Sequence, residues 1–354
     1  MEQVRWLVDP YMEWVQREGV PVVDGLSVDL TSIETSPWPR LDADCALIHL
    51  AARGDYVSVY VCDVPAGGAT APQRHLFEEV FYVLDGEGST SLKLPDGSDH
   101  TFEWGTGSLF SLPLNVQHRH YNARGKQPSR LVAVTNLPLM MNLFREERFV
   151  FEAEHDFSSR PSGGEHFTGD GTFVPNREHR HMWETNFVPD LRRFDQLRPA
   201  PSRGPGSSSI MFILADSSMH AHLSEFPAAT YKKGHRHAPD FHLFQLSGRG
   251  YSLYWYDEDE EYERIDWQYG VLHSPPDQMW HQHFNSGNET ARYLAVAFGS
   301  LRYPITETKR AGWMDDPTKK NVDQIEYEDE DPRIRSIFEE ELRKNGIAQR
   351  AQAT

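Results

Sequence analysis

The chain has 354 residues, enough for two domains with separate cores, and carries 35 Lys plus Arg against 53 Asp plus Glu, a formal net charge of -18. That negative excess repels phosphate backbones and anionic lipid heads, which argues against nucleic acid and membrane surfaces as partners. Cys45 and Cys62 are too few for a disulfide framework or a thiolate metal site.

In chain order, Asp9 to Arg17 reads as a short helix and Gly19 to Leu30 as an extended arm. From about Ala46 the pattern becomes short apolar strands broken by turns: Val57–Val64, Val80–Leu84, Ser91–Leu94, Leu109–Leu112 and Leu131–Val134, with Pro95-Asp96-Gly97 between two of them. Evenly spaced short strands predict a closed sandwich or barrel. Residues 154–209, rich in Gly, Pro, Ser and charge, read as a linker packed on the barrels, with His179 and His181 on a surface loop. A second strand-rich stretch runs from Ile210 to Phe298. An acidic run, Glu326 to Asp331, reads as a solvated connection before a helix from Pro332 to Lys344. The division expected is therefore a helix and arm over 1–43, a barrel over 44–153, the linker, a second barrel over 210–302, and an acidic tail with a helix over 303–354. No apolar run approaches the roughly 20 residues that span a bilayer, and the charged opening Met1-Glu2-Gln3-Val4-Arg5 lacks a signal-peptide core, so the expectation is a cytoplasmic protein.

One histidine-bearing pattern occurs twice. The first copy has Gln73-Arg74-His75, Glu79, Gly86, Gly107, Pro113 and His118-Arg119-His120-Tyr121-Asn122. The second has His235-Arg236-His237, Gly248, Gly270, Pro276 and His281-Gln282-His283-Phe284-Asn285. His75 and His237 are 162 residues apart, as are Gly86 and Gly248, while His118 and His281 are 163 apart. Arg130-Leu131-Val132-Ala133-Val134 and Arg292-Tyr293-Leu294-Ala295-Val296 keep the same offset. A constant offset at this many points means duplication, and so long a period implies two tandem domains rather than a solenoid.

On a strand, residues two apart share a face. His235 and His237 therefore point together, Arg236 points away, and His281 and His283 form a second pair on a later strand. Three neutral imidazoles converging in an apolar interior suit iron, copper, nickel or zinc, and a carboxylate in the set widens the choice to manganese. The main metal site expected is His235, His237 and His281. A weaker second site is Gln73, His75, Glu79 and His118. His120 and His283 are candidates for substrate contact or acid–base work, and His220 and His222 for pocket lining. Trp280, Trp255, Phe244 and Tyr254 are expected to form an apolar cavity wall.

These residues resemble the cupin superfamily, and specifically its two-domain bicupins: Glu79, Gly86, Gly107, Pro113, His118 and Asn122 fall at the motif positions, with Gln73 where the first His is expected. The resemblance implies an all-β fold of two tandem cupin, or jelly-roll, barrels. In the second copy the carboxylate position falls on Phe241, leaving a three-histidine set. Tyr231–Asn288 is similar to ring-cleaving dioxygenases of the gentisate type. That likeness implies an Fe(II) enzyme, with Mn, Ni or Zn as alternatives, that uses dioxygen to cleave a carbon–carbon bond of a phenolic or enolisable diketone substrate. Homo-oligomers are expected with it. A non-redox metal cupin (isomerase, lyase or decarboxylase) and a non-catalytic small-molecule binder are the other classes open. Leu243 replaces the Arg that grips a substrate carboxylate in that family, so the sequence predicts a preference for neutral or phenolic substrates.

Overall fold

A computed structural model describes residues 7–51, 56–160, 163–175, 181–237, 241–300, 302–303 and 323–348. Helix Pro10–Glu18 starts where the Asp9 side chain accepts the Met12 N–H, with proline in its first turn, and ends at Gly19 with φ 67°. It buries Tyr11, Trp14 and Val15 against the first barrel.

Each half of the chain is a jelly roll of two mainly antiparallel sheets; the exceptions are the parallel pairs of Val22–Gly25 with Ala43–Leu50 and of His181–Glu184 with Ser208–Ile213. In the first, the strands Ala43–Leu50, Ser58–Val64, Ser129–Thr135, Glu79–Asp85 and Leu109–Ser111 lie side by side in that order. The smaller sheet holds Gln117–Asn122, Glu87–Lys93 and Asp99–Gly105. Phe81, Val83 and Leu131 from one sheet meet Leu92, Phe102 and Trp104 from the other in a shared core. In the second half the order is Ser208–Ile213, Met219–Phe226, Ala291–Phe298, His242–Ser247 and Val271–His273. Its smaller sheet runs Thr230–Tyr231, Trp280–Asn285, Gly250–Trp255 and Glu263–Trp267. Two motif glycines are required sterically: Gly86 and Gly248 have φ of 127° and 82°, and a Cβ there would lie 2.3 Å from Ser129 Oγ and 2.7 Å from Ala291 Cα respectively.

The halves exchange strands. Arm residues Ser27–Asp29 pair with Val271–His273 of the second barrel, while Phe187–Val188, from the segment read as a linker, pairs with Leu109–Ser111 of the first. The two recipient strands occupy equivalent positions in the duplication. Two arginines at the constant offset hold these arms: Arg130 bonds Asp63 and the carbonyls of Leu30 and Thr31, and Arg292 bonds Glu225 and the carbonyls of Leu191, Arg192 and Phe194. Between the barrels, Val59, Val61, Val132 and Val134 pack in one core with Phe212, Leu223, Leu294 and Val296. A fused pair of barrels follows, rather than two beads on a string.

The linker also contributes a hairpin, Thr172–Pro175 with His181–Glu184, that extends the second large sheet. His181 thus lies on a strand rather than a surface loop, and His179 falls outside the described residues. The acidic run is not merely solvated. Glu330 accepts hydrogen bonds from Tyr231 and Gln282, Glu326 pairs with Lys233, and Asp331 caps the helix Pro332–Lys344. That helix buries Ile334, Phe338 and Leu342 on Tyr231, Tyr251 and Phe284, which explains why every residue of Trp280–Asn285 is buried although only alternate ones face the barrel interior. No helix among the described residues is long and apolar enough to cross a membrane.

Candidate metal centres

In the first barrel the strand Gln117–Asn122 alternates, burying His118, His120 and Asn122 and turning Gln117, Arg119 and Tyr121 outward. Gln73 is joined to His118 by a pair of backbone hydrogen bonds, 2.8 and 2.9 Å, which carries the first motif across to the second. One ligand atom from each of His75, Glu79 and His118 then falls within 4.8 Å of the others. His75 Nε2 is 3.1 Å from Glu79 Oε2, and the Tyr60 hydroxyl donates to Glu79 Oε1 at 2.6 Å. Gln73 stands at the same cavity but commits its amide nitrogen to the carbonyls of Arg40 and Ala71.

The second barrel repeats the construction with His235 in place of Gln73, bonded to His281 through both backbone groups at 3.0 and 2.9 Å. His235, His237 and His281 bring one ring nitrogen each within 4.8 Å of the others. All three are buried. Phe241 fills the place of Glu79, with its ring centroid 4.5 Å from that of His237. Leu243 lines the cavity, and Arg236 turns away, stacking on Trp280 and pairing with Asp257 at 3.0 Å.

Backbone carbonyls orient the rings. The Nδ1 atoms of His75, His118 and His281 lie 2.8, 3.0 and 3.0 Å from the carbonyls of Phe77, Val116 and Met279. An imidazole that donates through Nδ1 presents the Nε2 lone pair, the tautomer a metal requires. Burial first of all pushes His281 and His118 down to about 4, so both are neutral near pH 7. Nε2 of His281 is buried with no hydrogen-bond partner among the described residues. A buried nitrogen left without a partner is costly unless something such as an ion takes the position, and the donor set therefore fits a divalent metal.

His120 and His283 occupy equivalent places behind the ligands. His120 Nδ1 is 2.8 Å from Thr90 Oγ1, which accepts from the Trp104 indole; His283 Nδ1 is 2.8 Å from Ser252 Oγ, which accepts from the Trp267 indole. Burial pushes His120 down to about 3 and His283 well below its ordinary value. Of the two, only His283 lines a cavity beside its metal ligands.

The cavities differ. That of the first barrel is about 20 Å³, roofed by Trp14, Trp38 and Phe151, which is room for one water. That of the second is about 60 Å³ and is walled by Met211, Phe241, Leu243, Tyr293 and Ala295. The cavity is not walled by the aromatic residues expected from sequence: Trp255 and Trp280 pack under the C-terminal helix, Phe244 lies between the barrels, and Tyr254 stacks on His281 at 6.0 Å, centroid to centroid, without lining the cavity. His222 does line the cavity.

Sequence reasoning missed Lys232, Ser224, Tyr293 and Arg203, which also line it. Lys232 Nζ donates to Ser224 Oγ at 2.7 Å and to Tyr293 OH at 3.0 Å. The signal was available in the duplication, because the positions equivalent to Lys232, Ser224 and Tyr293 in the first copy are Thr70, Cys62 and Leu131. A lysine in place of Thr70, a serine in place of Cys62 and a tyrosine in place of Leu131 mark where the two copies have diverged.

Residues 60–135 match the family model of the cupin domain. No curated protein matches the sequence. Among solved structures, a single-site variant of Bacillus subtilis oxalate decarboxylase is 13% identical with a TM-score of 0.49, covering 78% of each chain. A structure of the same enzyme from a study of its Mn(II) centres is 14% identical, with TM-score 0.49 and the same coverage. The enzyme at pH 4.6 is 14% identical with TM-score 0.48, covering 78% of this chain and 77% of that one.

Proposed function

We propose that the second barrel binds a divalent metal through His235, His237 and His281 and catalyses a non-redox reaction on a small molecule: a lyase, decarboxylase or isomerase. The observation that carries this reading is the convergence of three buried imidazoles on one side of the larger cavity, with His281 Nε2 unpartnered among the described residues. Iron, nickel, zinc and manganese are all open to the site, and the metal when bound supplies Lewis acidity toward a chelated substrate oxygen. The chain supplies the rest. Leu243, Phe241 and Met211 exclude water, and His283, fixed by Ser252, can take or give a proton at the cavity wall. Such acid–base groups suit heterolytic bond cleavage, which requires no external oxidant.

In the same reading, Gln73, His75, Glu79 and His118 hold a second ion that braces the first barrel, because its cavity leaves no room for a substrate. His120 accordingly has a positioning role there.

A second reading, an Fe(II) dioxygenase acting on a phenolic or diketone substrate, is favoured by Phe241, whose place at the carboxylate position leaves an all-histidine set. The experiment that separates the two is turnover of a panel of hydroxy acids, keto acids, catechols and 1,3-diketones, run with and without oxygen. Anaerobic turnover that persists with zinc supports the non-redox class. Turnover that needs oxygen and iron supports the dioxygenase, since zinc has no redox state to offer.

A further inference from the structure

Lys232 is 3% exposed, yet no carboxylate pairs with it among the described residues. The nearby acids are engaged elsewhere: Glu225 with Arg292, Glu326 with Lys233, and Glu330 with Tyr231 and Gln282. Its hydrogen bonds go to two hydroxyls, Ser224 and Tyr293. A buried ammonium without a counter-ion is costly, and the cost is recovered if an anion enters. Burial first pushes Lys232 below its ordinary value, Tyr293 acts in the opposite sense, and the neighbouring Arg203 adds to the lowering. A second cation on the same cavity, Arg203, strengthens the positive field there.

The framework places this group on the cavity that the ligands line. Ser224 and Tyr293 are direct cross-strand partners on Met219–Phe226 and Ala291–Phe298, and Lys232 follows Thr230–Tyr231 into the His235 turn. The backbone N–H of Lys232 donates to the His283 carbonyl at 3.0 Å, tying it to the strand that carries His281. Lys232, Tyr293 and all three imidazoles line one cavity.

We infer that Lys232, supported by Ser224 and Tyr293, is the anchor for a substrate carboxylate, so that the molecule acted on is a small carboxylic acid with a second oxygen free to reach the metal. The inference rests on the proposed metal site and adds the substrate class. It reverses the preference for neutral substrates expected from Leu243: the cation missing from that position is supplied by Lys232, which follows Thr230–Tyr231 of the smaller sheet. About 60 Å³ suits a molecule of a few heavy atoms.

The test is calorimetric titration of full-length protein, metal-free and Co(II)-loaded, with glycolate and its neutral isostere glycolamide, for wild type, Lys232→Met and Lys232→Arg. A charge-assisted hydrogen bond of about 1.5–3 kcal/mol corresponds to a preference for glycolate of about tenfold or more in wild type. Lys232→Met should bind the two ligands within about threefold while keeping its cobalt, and Lys232→Arg should restore part of the preference. An undiminished preference in cobalt-bound Lys232→Met overturns the anchor and leaves the metal site standing. Failure of wild type to take up cobalt overturns the metal site. The metal-free arm then decides the anchor alone: glycolate binding that depends on Lys232 sustains it, and binding that does not overturns it. Lys232→Gln is the second variant if Lys232→Met fails to fold.

Discussion

The ring of Phe241 lies 4.5 Å from that of His237, centroid to centroid, in the place where the first barrel carries Glu79, 3.1 Å from His75. One duplicated scaffold thus offers a neutral three-histidine set and an anionic set of two histidines and a carboxylate. The burial of Glu79 raises its pKa, but His75, His118 and the Tyr60 hydroxyl outweigh that and hold the carboxyl below its ordinary value. A carboxylate shifts ligand preference toward harder ions. Phe241→Glu is therefore expected to raise the manganese share of the second site when protein is loaded from equimolar Mn and Zn and its metal content is measured. An unchanged share would show that the residue at this position does not reach the ion.

Removing a ligand should act on its own barrel. His237→Ala is expected to abolish most metal binding in the second site, and His75→Ala to remove less of the total, because the first set depends on Gln73, whose amide nitrogen is held by backbone carbonyls. Metal analysis of the purified variants is the check. Equal losses, or metal that survives His237→Ala in full, would reverse the ranking of the sites.

The histidine sets were legible in the sequence because period-two alternation and the constant offset are local signals. The strand Gln117–Asn122 alternates as expected, and the helix expected over Pro332–Lys344 has those bounds, with Asp331 as its cap. What could not be read is whatever depends on distant partners. An isolated pair of apolar residues carries no strand signal of its own, and Phe187–Val188 becomes a strand only because Leu109–Ser111 offers an open edge. Trp280 and Trp255 face a helix from the far end of the chain, so their aromatic character gave no indication of which side of the sheet they cover. Lys232 stands three residues before a motif, and beyond its divergence from Thr70 nothing local marks it as buried; its burial comes from cross-barrel contacts with Ser224 and Tyr293.

The exchanged arms predict a stability effect remote from both sites. Leu30 is wholly buried between the barrels, and its N–H donates to the Gly270 carbonyl. Leu30→Ala is expected to lower the stability to denaturant by about 2–5 kcal/mol through the cavity it leaves. A loss below about 0.5 kcal/mol, the level of surface substitutions, would mean the arm does not hold the halves together.

The tail braces the metal-bearing turn. Ile325 N–H donates to the Gly234 carbonyl at 2.8 Å, and Arg236 N–H to the Asp323 carbonyl at 3.0 Å, on either side of His235. Ile325→Pro removes one donor, a net contribution of about 0.5–1.5 kcal/mol. Metal release from the second site, followed with a chromogenic chelator, should accelerate several-fold, with release from the first site unchanged. Identical kinetics at both sites would separate the tail from metal retention.

The most direct measurement is an anomalous-difference map from crystals of the full-length protein grown with cobalt. A strong peak is expected in contact with His235, His237 and His281, in the cavity that Lys232 also lines. A map whose density lies only at His75, Glu79 and His118, or at neither set, would contradict it.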